Sequence, residues 1–108
     1  MKQLKFAPNL PELILSGKKY ATWRLSDDPL VADIQVGDTL SFVGGEREFA
    51  QAFVISTKET TFANMTEEDK LGHEKYPSEA EKYATFQGYY GRNVGSKTRV
   101  KIIKYKLT

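Results

Sequence analysis

Gly17-Lys18-Lys19-Tyr20-Ala21-Thr22-Trp23-Arg24 brings three cations, two side-chain hydroxyls and the only tryptophan of the chain into eight residues. The stretch marks a change of period. Before it, Leu10, Leu13 and Ile14 recur at helical spacing, and Gly17 supplies the residue that ends a helix. From Tyr20 onward the pattern has the period of two of a strand. A short helix over 10–16 that feeds a strand over 20–25 is expected. On that strand Ala21, Trp23 and Leu25 share the core face. Tyr20, Thr22 and Arg24 share the other, towards a cleft or solvent. Lys19 and Thr22 are three apart and cannot share a face of a regular strand. Lys19 joins the cleft only from the turn before the strand begins. Lys18 and Lys19 also lie just past the helix end, where the dipole favours cations.

Upstream, residues 2–6 read as a first strand, with Leu4 and Phe6 on one face. Asn9 is the expected N-cap of the helix, with Pro11 in its first turn. Downstream, Ser26 to Asp33 is a polar loop and Val36-Gly37-Asp38 a turn. Thr39 to Val43 is the next strand, and Gly44-Gly45 a hairpin signal. The return strand covers about 47–57, with a tail that continues towards Phe62. Thr66-Glu67-Glu68-Asp69 is a capping sequence for a short helix stopped by Gly72, and Ser78-x-x-Glu81 is a second capping box that opens a helix over about 79–89 closed by Gly91. The face of that helix is expected to carry Ala80, Tyr83, Ala84, Phe86 or Gln87, and Tyr90. The last strand, about 98–107, changes phase. Val100 and Ile102 have one parity, Ile103, Tyr105 and Leu107 the other, which suggests a bulge near 102–103. Lys101, Lys104 and Lys106 read as the solvated edge of a sheet, or as a track for a phosphate backbone. The fold class is α+β: a small barrel with two or three short helices at a cleft, in a single domain spanning residues 1–108.

Composition bounds the function. The chain has 108 residues, 40% hydrophobic and 28% charged, which is a globular balance. There is no apolar run near the ~20 residues of a membrane helix, and the first residues lack a secretory apolar region. A cytoplasmic location is the default, with no membrane partner. Zero cysteines exclude a disulfide framework and a thiolate metal site, and one histidine argues against a His-rich zinc site. No metal or cofactor is expected. A net charge of +2 permits RNA or nucleotide binding without demanding it. Cations cluster at both ends of the chain, acids between Glu67 and Glu81.

Ile14-Leu15-Ser16-Gly17-Lys18-Lys19-Tyr20-Ala21-Thr22-Trp23-Arg24 resembles the signature of the ASCH domain family, small PUA-like β-barrels. Val36-Gly37-Asp38 is similar to the family's Gly-Asp turn. Gly72-His73-Glu74, with a helix ending Tyr89-Tyr90-Gly91, resembles its second half. The resemblance implies a cleft that binds RNA or a nucleoside; the oligomeric state is left open by the sequence, with a monomer favoured. One branch of the family hydrolyses the acetyl group of N4-acetylcytidine. Its catalytic Lys and Thr match Lys19 and Thr22, and its Glu matches Glu74 or, with a gap of one residue, the position of His73. The chain departs from that branch at Tyr20, where the branch has Thr, and in the bulky Trp23. Some family members are described as cutting RNA.

The residues read two ways. Lys19 and Thr22 form a base–nucleophile pair assisted by Glu74, or a helix-end cation beside a β-favouring Thr. Arg24 holds a phosphate or a base edge, or pairs with Asp27 or Asp28 on the surface. Tyr20 stacks on a base, and Trp23 reads as core. His73 is a general acid–base or a hydrogen-bonding loop residue. Lys18, Tyr20, Arg24 and His73 are the candidate ligand-binding set around Lys19, Thr22 and Glu74.

Overall fold

The computed structural model describes residues 1–108. Its elements are β1 (Lys2–Phe6), α1 (Leu10–Leu15), β2 (Ala21–Leu25), β3 (Thr39–Gly44), β4 (Arg47–Thr61), a 3-10 turn at Phe62–Asn64, α2 (Glu67–Lys70), α3 (Glu79–Tyr90) and β5 (Arg99–Leu107). The five strands form one sheet in the order β1-β3-β4-β5-β2, with β1 parallel to β3 and every other pair antiparallel. This is the α+β half-barrel expected.

The fifteen-residue β4 curls the sheet. Its first half pairs with β3 and its second half with β5. Two residues of β4 have no partner in these ladders, Phe49 between the pairs Phe42–Ala50 and Val43–Glu48, and Ile55 between Val54–Tyr105 and Ser56–Lys104. An extra residue on one strand bends it and increases its twist. The bulge expected near 102–103 of β5 is thus on β4 instead.

The change of phase in β5 has another cause. β5 is central and buried on both faces. Ile103 and Tyr105 enter the core inside the curl with Leu4, Phe42 and Ile14. Val100 and Ile102 enter a second core with Trp23, Leu25, Phe62 and Phe86 of α3. Central strands read as continuous apolar runs rather than alternating ones. The lysines of β5 therefore do not form a sheet edge. Lys101 is buried, and its ammonium donates to the carbonyls of Val31 (2.8 Å) and Ile34 (2.7 Å) in the loop between β2 and β3. Val31, in the middle of that polar-looking loop, is itself fully buried.

Three local expectations are corrected. Asn9 has helical backbone angles and makes no capping bond; the peptide N–H of Leu10 bonds Ala7 O at 3.0 Å. At the start of α3, Ser78 accepts from Glu81 N at 3.1 Å, without the reciprocal bond of a capping box. On α3, Phe86 is buried as one of the two alternatives at its place, but Ala80 and Ala84 are exposed and Lys82 is buried instead. The Lys82 stem covers apolar surface while its ammonium reaches Glu79 at 2.8 Å and lies over the rings of Phe62 and Tyr83. No helix is long and apolar enough to cross a membrane.

Candidate functional site

Gly17, at φ +84°, ends α1 and turns the chain towards β2. Lys18 points outward and is exposed, whereas the Lys19 side chain folds inward and is 2% exposed. The Lys19 backbone is held on both sides: its N–H donates to Leu13 O at 3.0 Å, and its carbonyl accepts from the Tyr105 hydroxyl at 3.0 Å. Its ammonium donates to Ala21 O at 2.8 Å and to Glu74 Oε1 at 2.6 Å.

Glu74 arrives from a turn braced by β2. The peptide N–H groups of Tyr20 and Ala21 both donate to Gly72 O, at 2.8 and 3.1 Å. The Tyr20 ring lies so close to Gly72 that a Cβ there would sit 2.5 Å from it. Beyond the turn, the His73 ring stacks on Trp23 with centroids 3.6 Å apart and planes 13° apart. His73 Nδ1 is 2.8 Å from Glu74 O and 3.2 Å from Glu74 Oε1. Both neighbours are acceptors, which assigns the ring proton to Nδ1 and leaves Nε2 as an acceptor.

Burial and charge set the protonation states. Burial lowers the Lys19 ammonium below its ordinary 10.5, and Glu74 opposes this without cancelling it. Burial also acts to raise the Glu74 carboxyl, but His73 and Lys19 outweigh it and hold Glu74 below its ordinary 4.5. Burial, reinforced by Lys19, pushes His73 down to about 3, so its imidazole is neutral at pH 7.

Thr22 and Arg24 share the face of β2 that looks into the curl. Arg24 Nε donates to Thr22 Oγ1 at 3.2 Å, and Nη2 donates to Lys5 O at 2.8 Å. The second bond crosses the seam between β2 and β1, the two edge strands. The Arg24 guanidinium also lies 5.0 Å from the Phe6 ring centroid. It makes no ion pair with Asp27 or Asp28. Asp27 pairs with Arg92, and Asp28 accepts from the Tyr90 hydroxyl at 2.9 Å.

At this seam is a cavity of about 230 Å³. Lys19, Thr22, Arg24, His73 and Glu74 all line it. Trp23 lines it too, so the residue expected in the core serves as both core and wall. The remaining wall comes from Phe6, Tyr76, Phe86, Tyr89 and Tyr90, with Lys5 and Asp28 among its polar members. Tyr89 and Tyr90, legible in the sequence only as the end of the helix and, for Tyr90, on its expected face, thus line the cavity. Phe6 and Tyr76 carried no signal, because only the curl of the sheet brings them near β2. Tyr20 and Lys18 lie outside the cavity. Tyr20 is 44% exposed, in a separate apolar depression with Leu15 and Ile55.

A scan against protein-family models finds no match for the sequence, and a search of curated proteins finds none either. Solved structures do match. The chain is similar to a hypothetical protein, PH0355, at TM-score 0.75 and 23% identity, over 98% of this chain and 97% of that one. It is similar to an ASCH domain from Lactobacillus crispatus at TM-score 0.67 and 15% identity, over 92% and 70% of the two chains. It is similar to ASCH from Zymomonas mobilis at TM-score 0.62 and 11% identity, over 96% and 65%. The curled five-stranded sheet, its flanking helices and the order in which the chain joins them are those of the ASCH domains, and this chain has the ASCH fold.

Proposed function

We propose that the seam cavity binds one nucleobase, as a modified nucleoside or as an unstacked base of RNA. One observation carries this reading. Aromatic rings surround a Lys19–Glu74 pair whose cation is buried, in a space somewhat smaller than the ~300–1,000 Å³ of typical ligand pockets. The rings supply stacking and edge contacts for a planar heterocycle. Arg24 Nη1, the Thr22 hydroxyl and His73 Nε2 make no donor bond to the rest of the chain and offer mixed hydrogen bonding to a base edge. A strand backbone does not fit such a space. Calorimetric titration with cytidine, N4-acetylcytidine and short single-stranded RNA at low salt tests the reading. Saturable binding of at least one, weakened tenfold or more by Thr22→Val or Arg24→Ala, is expected. If none of the three binds, the reading is wrong.

The state of Lys19 favours a second reading, hydrolysis of the N4-acetyl amide. Burial lowers the Lys19 ammonium towards loss of a proton; once that proton has left, the two remaining N–H bonds stay on Ala21 O and Glu74 and the lone pair is free to take a proton. Thr22 Oγ1 then attacks the acetyl carbon and passes its proton to Lys19. The C–N bond breaks as Lys19 returns the proton to the leaving amine, and water releases acetate from acyl-Thr22. Glu74 orients Lys19. Thr22 and Lys19 are not hydrogen-bonded to each other in the unliganded site, so the substrate must complete the relay. Incubation with N4-acetylcytidine is expected to release cytidine, and a folded Lys19→Ala variant to release none. Turnover in that variant equal to the parent's removes Lys19 from the mechanism.

A further inference from the structure

An apolar depression of about 380 Å³ lies between the end of α1, the start of β2 and the second bulge of β4. Its floor belongs to the inner core, where Ile14 and Tyr105 are buried. Its walls do not. Leu15 is 56%, Ile55 52% and Tyr20 44% exposed, and Leu107 is half-buried beside them. The bulge contributes to this exposure. Ile55 has no ladder partner on β5, and an extra apolar side chain is left exposed between Phe53 and Ser56. Phe53 is exposed as well, and its ladder partner is Lys106, which lines the depression. Apolar side chains exposed singly are ordinary, but contiguous ones inside a polar rim mark a contact surface.

The rim carries one sign of charge. No carboxylate side chain lines the depression. Lys106 is exposed, Lys18 is exposed next to Gly17 of the lining, and neither joins an ion pair. Lys19, the other cation of the lining, gives its ammonium to Glu74 and Ala21 O. Like charge disfavours a second copy as the occupant, because a two-fold interface sets the patch on its own image and gathers the lysines of both copies. The mainly aliphatic wall suits an apolar side chain better than a stacked base. We infer that this depression docks an acidic peptide segment of a partner protein, which inserts an apolar side chain between Leu15, Tyr20 and Ile55 and sets carboxylates against Lys18 and Lys106. The apolar insertion holds the segment, and the charges steer and orient it. The depression shares only Lys19 with the seam cavity, so the inference stands apart from what the cavity binds.

Selection from a random peptide library displayed on phage, against the whole chain, supplies the probe. Enriched peptides are expected to combine Asp or Glu with a large apolar residue. Nuclear magnetic resonance titration with one of them is expected to move the amide resonances of Leu15, Tyr20, Ile55 and Lys106, and not those of Asp28, Phe86 or Tyr89 in the cavity wall. Ile55→Glu is expected to weaken binding about tenfold or more, and Leu15→Ser, on a different element, to do the same. Lys106→Gln is expected to weaken it less and to flatten its salt dependence. No enrichment, enriched peptides without acidic residues, or affinity unchanged in both apolar variants overturns the inference. Self-association of the chain that Ile55→Glu abolishes overturns it in favour of a second copy. A single-stranded oligonucleotide that moves these resonances when the peptide does not overturns it in favour of nucleic acid.

Discussion

His73, the only histidine of the chain, lies flat on Trp23, and its side chain is 4% exposed. Its folded-state value near 3 is below the ordinary 6.5, so folding is linked to pH. Above pH 6.5 the imidazole is neutral in both folded and unfolded chains, and the full stability is present. As pH falls from 6.5 towards 3, the unfolded chain takes up a proton that the folded chain refuses, and stability is lost. By pH 4.5 the loss is ~2–3 kcal/mol. Glu74, held below its ordinary 4.5, adds its own loss as pH falls below about 4.5, within the lower part of that window. Urea unfolding at pH 7 and pH 4.5 measures the difference. His73→Phe keeps a ring on Trp23 and is expected to flatten it; a variant with the parent's full pH dependence contradicts this account. The sequence left His73 open because a loop residue has no period to say what its side chain meets.

The turn at Gly72 acts as one element with the start of β2. Gly72 has φ +85°, its carbonyl takes two N–H groups of β2, and the Tyr20 ring covers its open face. Tyr20 therefore packs on Gly72, two residues before Glu74, outside the cavity its parity suggested. Tyr20 precedes the first ladder pair, Ala21 with Lys104, so strand alternation does not govern it. Gly72→Ala is expected to destabilise by about 1–2 kcal/mol from the left-handed backbone alone, and by more from the clash with Tyr20. Adding Tyr20→Ala restores the steric part only. A double-mutant cycle by urea unfolding measures this coupling, and strict additivity of the two changes sinks the clamp.

At the scale of the whole molecule, a buried cation anchors the loop that closes the inner core. The Lys101 ammonium reaches the carbonyls of Val31, Ala32 (3.4 Å) and Ile34, and no carboxylate pairs with it. The same loop carries Asp28, which joins Tyr90 of α3 to the cavity wall. Lys101→Met leaves those carbonyls buried without a donor and is expected to cost roughly 2–3 kcal/mol. Lys106→Met, at an exposed position of β5, is expected to change stability by under ~0.5 kcal/mol. Urea midpoints compare the two, and equal midpoints refute the internal role of Lys101.

What the sequence alone determined is local. The bounds of β1 and α1, the Gly44-Gly45 hairpin, the Thr66–Asp69 capping box and the glycine stops at Gly17 and Gly91 depend on neighbouring residues, and each is found where its chemistry puts it. The convergence of Lys19, Thr22 and Arg24 on one cavity was legible from a turn and a strand face, whereas Glu74 and His73 were placed with them only by the family resemblance. Tertiary structure decided the rest. Periodicity states which residues share a face, but not what that face meets. Only the strand order, with β5 between β4 and β2, buries Lys101, gives both parities of β5 a core, and sets Trp23 against His73. The stretch from Gly17 to Arg24 carries the same division: its cations look alike in sequence, and the turn at Gly17 sends Lys18 to solvent and buries Lys19 against Glu74 in the cavity wall.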